Sequence, residues 1–172
     1  MRFSWEVDKV QYFLMSTHFN KTNPSDFGLE CIDGKYIRRE DGTEWVPREL
    51  YDLGWGREVG FYKVPLGSFD ELINIVVNTA DEEDMYGATA IIDEMYPKEL
   101  KLYLLNLMSQ TVPDSVKKRL NEAFCLHREL NRTASVGMTL TEIKEEYDQW
   151  MMIADFYSKY EKKRKFWFFK KK

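Results

Sequence analysis

Asp81-Glu82-Glu83-Asp84 is the densest run of potential ligand atoms in this 172-residue sequence. Consecutive carboxylates supply the oxygen donors that hard cations such as calcium take, but the run lacks the alternating ligand positions, loop glycine and distal glutamate of a helix-loop-helix calcium site. A solvated first helical turn accounts for it better, because exposed N–H groups and the helix dipole favour negative charge there. Gly54-x-Gly56-x-x-x-Gly60 invites comparison with a phosphate-cradling loop. It carries no lysine-hydroxyl pair, and Glu58 inside it would repel phosphate, so these read as turn glycines. His18 and His127 stand at no recognisable spacing from a nucleophile, and Cys125-Leu126-His127 cannot present a zinc-type pair on one helical face. Glu142, Glu145, Glu146 and Asp148 read as solvated acids on a polar helix face. No catalytic residue, metal ligand set or cofactor motif emerges, and the expectation is a non-enzymatic protein.

What the residues support instead is recognition by charge. Ser68 to Val112 holds two basic against nine acidic residues, a balance of −7, within a chain of net charge −4. Met1 to Gly67 carries −2, Pro113 to Met138 +2 and Thr139 to Lys172 +3, so the acid sits in the middle and the base at the end. Such a segment suits docking onto a basic protein surface. The candidate contact residues are Asp81, Glu82, Glu83 and Asp84, with Asp93 and Glu94 extending the field. Trp45 and Trp55 join them from the aromatic group Trp45, Tyr51, Trp55, Phe61 and Tyr62, which serves either as core filling or as a binding hot spot.

Helices must position the acid. Ser68 and Glu71 form a capping box that predicts a helix from Phe69, with Phe69, Leu72, Ile73 and Val76 on one face. Thr79 and Glu82 repeat the pattern and predict a second helix from about Asp81, buried through Met85, Ala88, Ile92 and Met95. Gly87, Ala88 and Ala90 are small enough for a close neighbour on that helix. Pro97 suits the first position of a third helix, whose core face is Leu100, Leu104, Leu107 and Met108. Val112-Pro113-Asp114 opens a fourth, with Val116, Leu120, Ala123, Phe124, His127 and Leu130 on or near one face. Thr139 and Glu142 cap a fifth, whose stripe is Leu140, Ile143, Tyr147, Trp150, Ala154 and Tyr157.

Before Ser68 the signals are those of strands. Apolar and polar residues alternate from Phe3 through Leu14, and Asp33-Gly34 and Asp41-Gly42 mark two tight hairpin turns around a central strand. Pro47 is expected to end the strand after the second turn, with Arg48 to Tyr51 as a single helical turn, and Val59 to Val64 adds one more strand. The fold class that follows is α+β: a small N-terminal antiparallel β-sheet packed with a C-terminal array of about five α-helices. Residues 1–172 are read as a single domain, with a β-rich segment over 1–67, a helical segment over 68–160 and a basic aromatic tail over 161–172.

Apolar residues make up 44% of the chain and aromatics 15%, too rich for disorder throughout. No stretch approaches 18 apolar residues and no hydrophobic signal region follows Met1, so a cytoplasmic protein is expected. Cys31 and Cys125, far apart, suit buried thiols rather than a disulfide framework. Lys162-Lys163-Arg164-Lys165-Phe166-Trp167-Phe168-Phe169 and three further lysines admit three readings: a helix end, an interfacial membrane anchor or a nucleic-acid contact.

The stretch TADEEDMYGATAIIDEMYPKELKLYLLNLM, Thr79 to Met108, resembles one unit of a HEAT-like repeat, with an acidic turn, a helix with small residues, a proline-marked turn and a second helix. In general character, small, acidic and leading with a Trp-containing sheet, the chain also resembles the immunity proteins encoded beside bacterial polymorphic toxins. That resemblance implies a cytosolic inhibitor that binds a toxin domain directly, and it transfers no functional residue. A nucleic-acid or membrane-surface adaptor using the tail is the second reading, and a hydrolase using scattered carboxylates the third.

Overall fold

The computed structural model describes residues 11–15, 23–52, 57–65, 67–128 and 130–160, with backbone alone at 15, 49–52 and 57–59. The expected strand around Phe3 to Val7, His18, the Gly54-Trp55-Gly56 bend and the tail 161–172 lie outside these residues. Among the described residues the arrangement is α+β, a five-stranded antiparallel sheet followed by five α-helices. Contacts divide the chain into two compact units, Met1–Tyr96 and Pro97–Lys172. The division falls within the helical segment, after its second helix. It also separates charge: the first unit holds nine Lys and Arg against nineteen Asp and Glu, a balance of −10, and the second sixteen against ten, or +6.

In the first unit the strands are β1 (Phe13–Met15), β2 (Leu29–Ile32), β3 (Lys35–Arg38), β4 (Glu44–Asp52) and β5 (Arg57–Lys63), in the order β1-β5-β4-β3-β2. Asp33 and Gly34 both take positive φ, 51° and 80°, as a two-residue turn matched to the strand twist requires. Both hairpins stand where the Asp-Gly pairs place them. Pro47 does not end its strand, and Arg48 to Tyr51 form no helical turn but continue β4. The reason is local. The ladder to β3 covers only Glu44 and Trp45, while Val64 N–H bonds to Glu44 O on the β5 side. Alternation then turns the nitrogen of Pro47 toward the uncovered edge, where a missing donor breaks nothing.

One face of the sheet carries Leu14, Leu29, Trp45 and Phe61, all buried, with Phe27 and Tyr36 packed against them. Phe27 comes from a short 3-10 turn, Pro24–Phe27, and meets the Phe61 ring edge-on at 6.1 Å. The opposite face meets α2 (Glu82–Met95), on which α1 (Phe69–Asn78) packs in turn. Helix α1 begins at its capping box and buries Leu72, Ile73 and Val76. Helix α2 packs on α1, β1 and β4, and buries seven of its fourteen residues. The cap of α2 is not Thr79. The Asp81 carboxylate accepts the N–H groups of Glu83 and Asp84, and the Thr79 hydroxyl accepts that of Asp81.

The second unit comprises α3 (Pro97–Met108), α4 (Asp114–Phe124) and α5 (Leu140–Ser158). The HEAT-like stretch thus straddles the boundary, with α2 in one unit and α3 in the other. Helix α3 packs on α5 through Leu100, Leu104 and Leu107, and α4 adds Leu120, Ala123 and Phe124. Helix α4 stops at Cys125, which turns left-handed at φ 50°, so His127 and Leu130 lie beyond it and Leu130 is exposed. On α5 the expected stripe holds at Trp150, Ala154 and Tyr157, which are buried. Leu140 and Tyr147, expected inside, are exposed, and the inward line runs through Ile143, Glu146, Trp150 and Ile153.

Candidate protein-docking surface

From Ser68 to Tyr96 the sequence holds eight carboxylates and no lysine or arginine. Packing sorts these into separate roles. Asp84 is 1% exposed and is withdrawn from any surface. Its Oδ1 accepts the backbone N–H groups of Tyr12 at 2.8 Å and Phe13 at 2.9 Å, fastening the start of edge strand β1 to α2. Burial pushes its pKa up, and the two N–H donors oppose that shift without cancelling it. The expectation that Asp84 contacts a partner is therefore corrected: it is an internal acceptor for two backbone donors that would otherwise be buried unpaired.

Trp45 is corrected on the same ground. It is 1% exposed, its Nε1 donates to the Thr43 hydroxyl at 2.8 Å, and the Arg38 guanidinium lies 5.7 Å from its ring centre. Trp55 lies outside the described residues. Asp81 is half-buried and caps α2, and Glu94 is exposed but receives Arg48 Nη2 at 2.5 Å. Glu82 is exposed, as is Asp70 on the first turn of α1, and Glu83 and Asp93 are partly exposed and have partners of their own. Asp70 is not among the expected contacts. Its position in the first turn of a capped helix, two residues from Leu72, is the signal that points to it.

On α2, Glu82, Tyr86, Ala90 and Asp93 follow spacings of four, four and three and form the helix's outward stripe. Tyr86 is 38% exposed in the middle of it. The arrangement joins an amphipathic ring to flanking carboxylates, a combination suited to gripping a basic side chain on another protein.

A cleft of about 280 Å³ opens on the same unit, lined among others by Tyr12, Lys63, Ser68, Glu71 and Asn74. Glu71 Oε2 is engaged by Ser68 N–H at 2.7 Å, and Asn74 Oδ1 by Asn78 at 2.7 Å, so two of its polar groups serve helix α1 itself. Elsewhere, Asn121 Oδ1 accepts the backbone N–H of His127 at 2.9 Å and stands 3.2 Å from its Nδ1. Cys31 is exposed and Cys125 partly so, which corrects the expectation of buried thiols. Among the described residues no three His, Cys, Asp or Glu side chains converge as a metal site would require, and no helix is long and apolar enough to cross a membrane. No known family pattern matches the chain, and comparison with curated proteins and with solved structures returns no match.

Proposed function

We propose that this protein is a non-enzymatic binding module that neutralises a toxin by direct contact, an immunity protein of bacterial type working in the cytoplasm. The observation that carries the reading is the absence of any lysine or arginine from Ser68 to Tyr96, against eight carboxylates. Arg48 supplies an ion pair from the sheet, to Glu94, and Asp84 and Asp81 are occupied by backbone donors. Glu82 and Asp70 are exposed and add negative charge to the helical pair. A basic partner, such as a nuclease whose own surface holds phosphates, is the complement of that charge.

Co-expression with the product of the adjacent gene, followed by titration of the purified pair, tests the reading. The combined Glu82→Lys and Asp70→Lys substitutions are expected to weaken association at least tenfold, mainly through a slower on-rate, with the effect shrinking as salt is raised. Association indifferent to both the substitutions and salt would overturn it, as would failure of the neighbour's product to bind at low salt.

A further inference from the structure

We infer that strand β2, the last strand of the sheet, captures an extended basic strand of another protein by continuing the ladder. Arg39 N–H donates to Gly28 O at 3.1 Å and Arg38 N–H to Thr43 O at 2.9 Å, so alternate residues along β3 face β2 and β4. Ile37 and Lys35 therefore bond to Glu30 and Ile32, and the N–H and C=O groups of Leu29 and Cys31 point outward. Among the described residues nothing meets these four groups. The opposite edge of the sheet is closed at its start, where Asp84 takes the N–H groups of Tyr12 and Phe13. Strand β2 has none of the lysine, proline or bulge by which edges are blunted. Buried Leu29 fixes it to the core, while Cys31 and Ile32 are exposed.

Donors and acceptors alternating at strand spacing are met in full by another strand, and charge selects which. From Asn23 to Gly34 the chain carries Asp26, Glu30 and Asp33 and no lysine or arginine. Glu30 meets Arg39, whereas Asp26 and Asp33 are exposed and stand in no ion pair among the described residues. A second copy is disfavoured. The two-fold antiparallel register that uses all four outward groups pairs Leu29 with Cys31 and sets Glu30 against its own counterpart. A strand with lysine or arginine at alternate positions instead places cations beside Glu30, and its other side chains lie on the Cys31 side with Tyr36 and Phe27. This occupant resembles the partner proposed above in charge but uses a surface other than α1 and α2, so either reading can fail alone.

The probe is an acetylated and amidated Lys-Val-Lys-Val-Lys-Val peptide, titrated into the full chain while backbone amide exchange is followed by NMR. At saturation the Leu29 and Cys31 amides are expected to exchange at least about tenfold more slowly, with Glu30 and Ile32, already in the ladder, unchanged. Cys31→Pro removes an outward donor without touching the bonds to β3, as Pro47 does in β4, and should abolish the capture. A peptide N-methylated at its valines, whose N–H groups would face β2, should fail likewise with the protein unaltered, whereas N-methylation at the lysines should be tolerated. Glu82→Lys with Asp70→Lys should leave the slowing in place, which separates this edge from the helical surface. Equal capture of a Glu-Val-Glu-Val-Glu-Val peptide or of the valine-methylated one, capture unaffected by Cys31→Pro, or slowing confined to other amides would overturn the proposal. So would slowing of Leu29 and Cys31 on raising protein concentration alone, which would make a second copy the occupant.

Discussion

The Asp84 carboxylate accepts the backbone N–H of Phe13, 71 positions earlier in the chain, at 2.9 Å, and the same oxygen takes Tyr12 N–H at 2.8 Å. One side chain therefore satisfies the start of an edge strand and ties it to the helix that carries five of the eight carboxylates between Ser68 and Tyr96. Asp84→Ala should destabilise the first unit by about 3 kcal/mol, because two buried donors lose their acceptor. Asp84→Asn keeps a carbonyl oxygen in place without burying a charge, so its cost should be less than half as large. Denaturant titration of both variants checks the difference; equal losses would show that the contact is not what the carboxylate provides.

The next residue but two on the same helix meets the same strand. A Cβ on Gly87 would lie 2.3 Å from Cγ and Cδ1 of the buried Phe13 ring, closer than any carbon contact allows. Gly87→Ala would gain about 1 kcal/mol of helix propensity but should lose about 1–3 kcal/mol to overpacking, giving a net loss. Phe13→Leu in the same chain should recover some of it. Additive losses in the double variant would disprove the ring contact as the cause.

These two contacts show where the sequence is legible and where it is not. Short-range signals are clear: Ser68 with Glu71 and Thr139 with Glu142 set helix starts to the residue, and Asp33-Gly34 sets a hairpin, since each depends only on neighbours in the chain. Asp84 is hidden among four adjacent acids that look alike by composition, although only Asp84 lies one turn before Ala88 on the buried side. Glu146 is hidden for the same reason, lying between Ile143 and Trp150 at core spacing. Pro47 misleads because its tolerance in β4 depends on where β3 stops, which lies in the pairing and not in the local sequence.

Tyr157 is fully buried in the second unit, and its hydroxyl finds no hydrogen-bond partner among the described residues. Burial, with Tyr103 and Tyr160 nearby, pushes its ionisation far above the ordinary tyrosine range. Tyr157→Phe removes a desolvated polar atom and keeps the ring, so it should stabilise the unit by about 1 kcal/mol and raise the melting temperature by roughly 3 °C. A lowered melting temperature would mean that the hydroxyl is satisfied in solution.

Lys101, with its side chain 9% exposed, places Nζ 2.5 Å from Glu146 Oε2, and that oxygen also accepts from Thr133, whose hydroxyl accepts Trp150 Nε1 at 3.0 Å. The Lys101 and Thr133 hydrogen bonds hold the Glu146 pKa below its ordinary 4.5. A depressed carboxylate contributes stability that is present above the unfolded value and is lost as pH falls through the lower folded one. Asp84 behaves oppositely: its pKa is raised above 3.8, so its contribution is present below the unfolded value and is lost as pH rises through the folded one. Acidification should therefore weaken the second unit at Glu146 while relieving the first at Asp84. Hydrogen exchange followed by unit across the acid range should show Glu146→Gln flattening the loss in the second unit, and Asp84→Asn removing the gain in the first. Removing Glu146 leaves a lysine buried without its partner, whereas removing Lys101 leaves a carboxylate with Thr133 and some solvent. Glu146→Ala should thus cost more than Lys101→Ala, by about 1–2 kcal/mol. The reverse order would mean that Lys101 reaches water when unpaired.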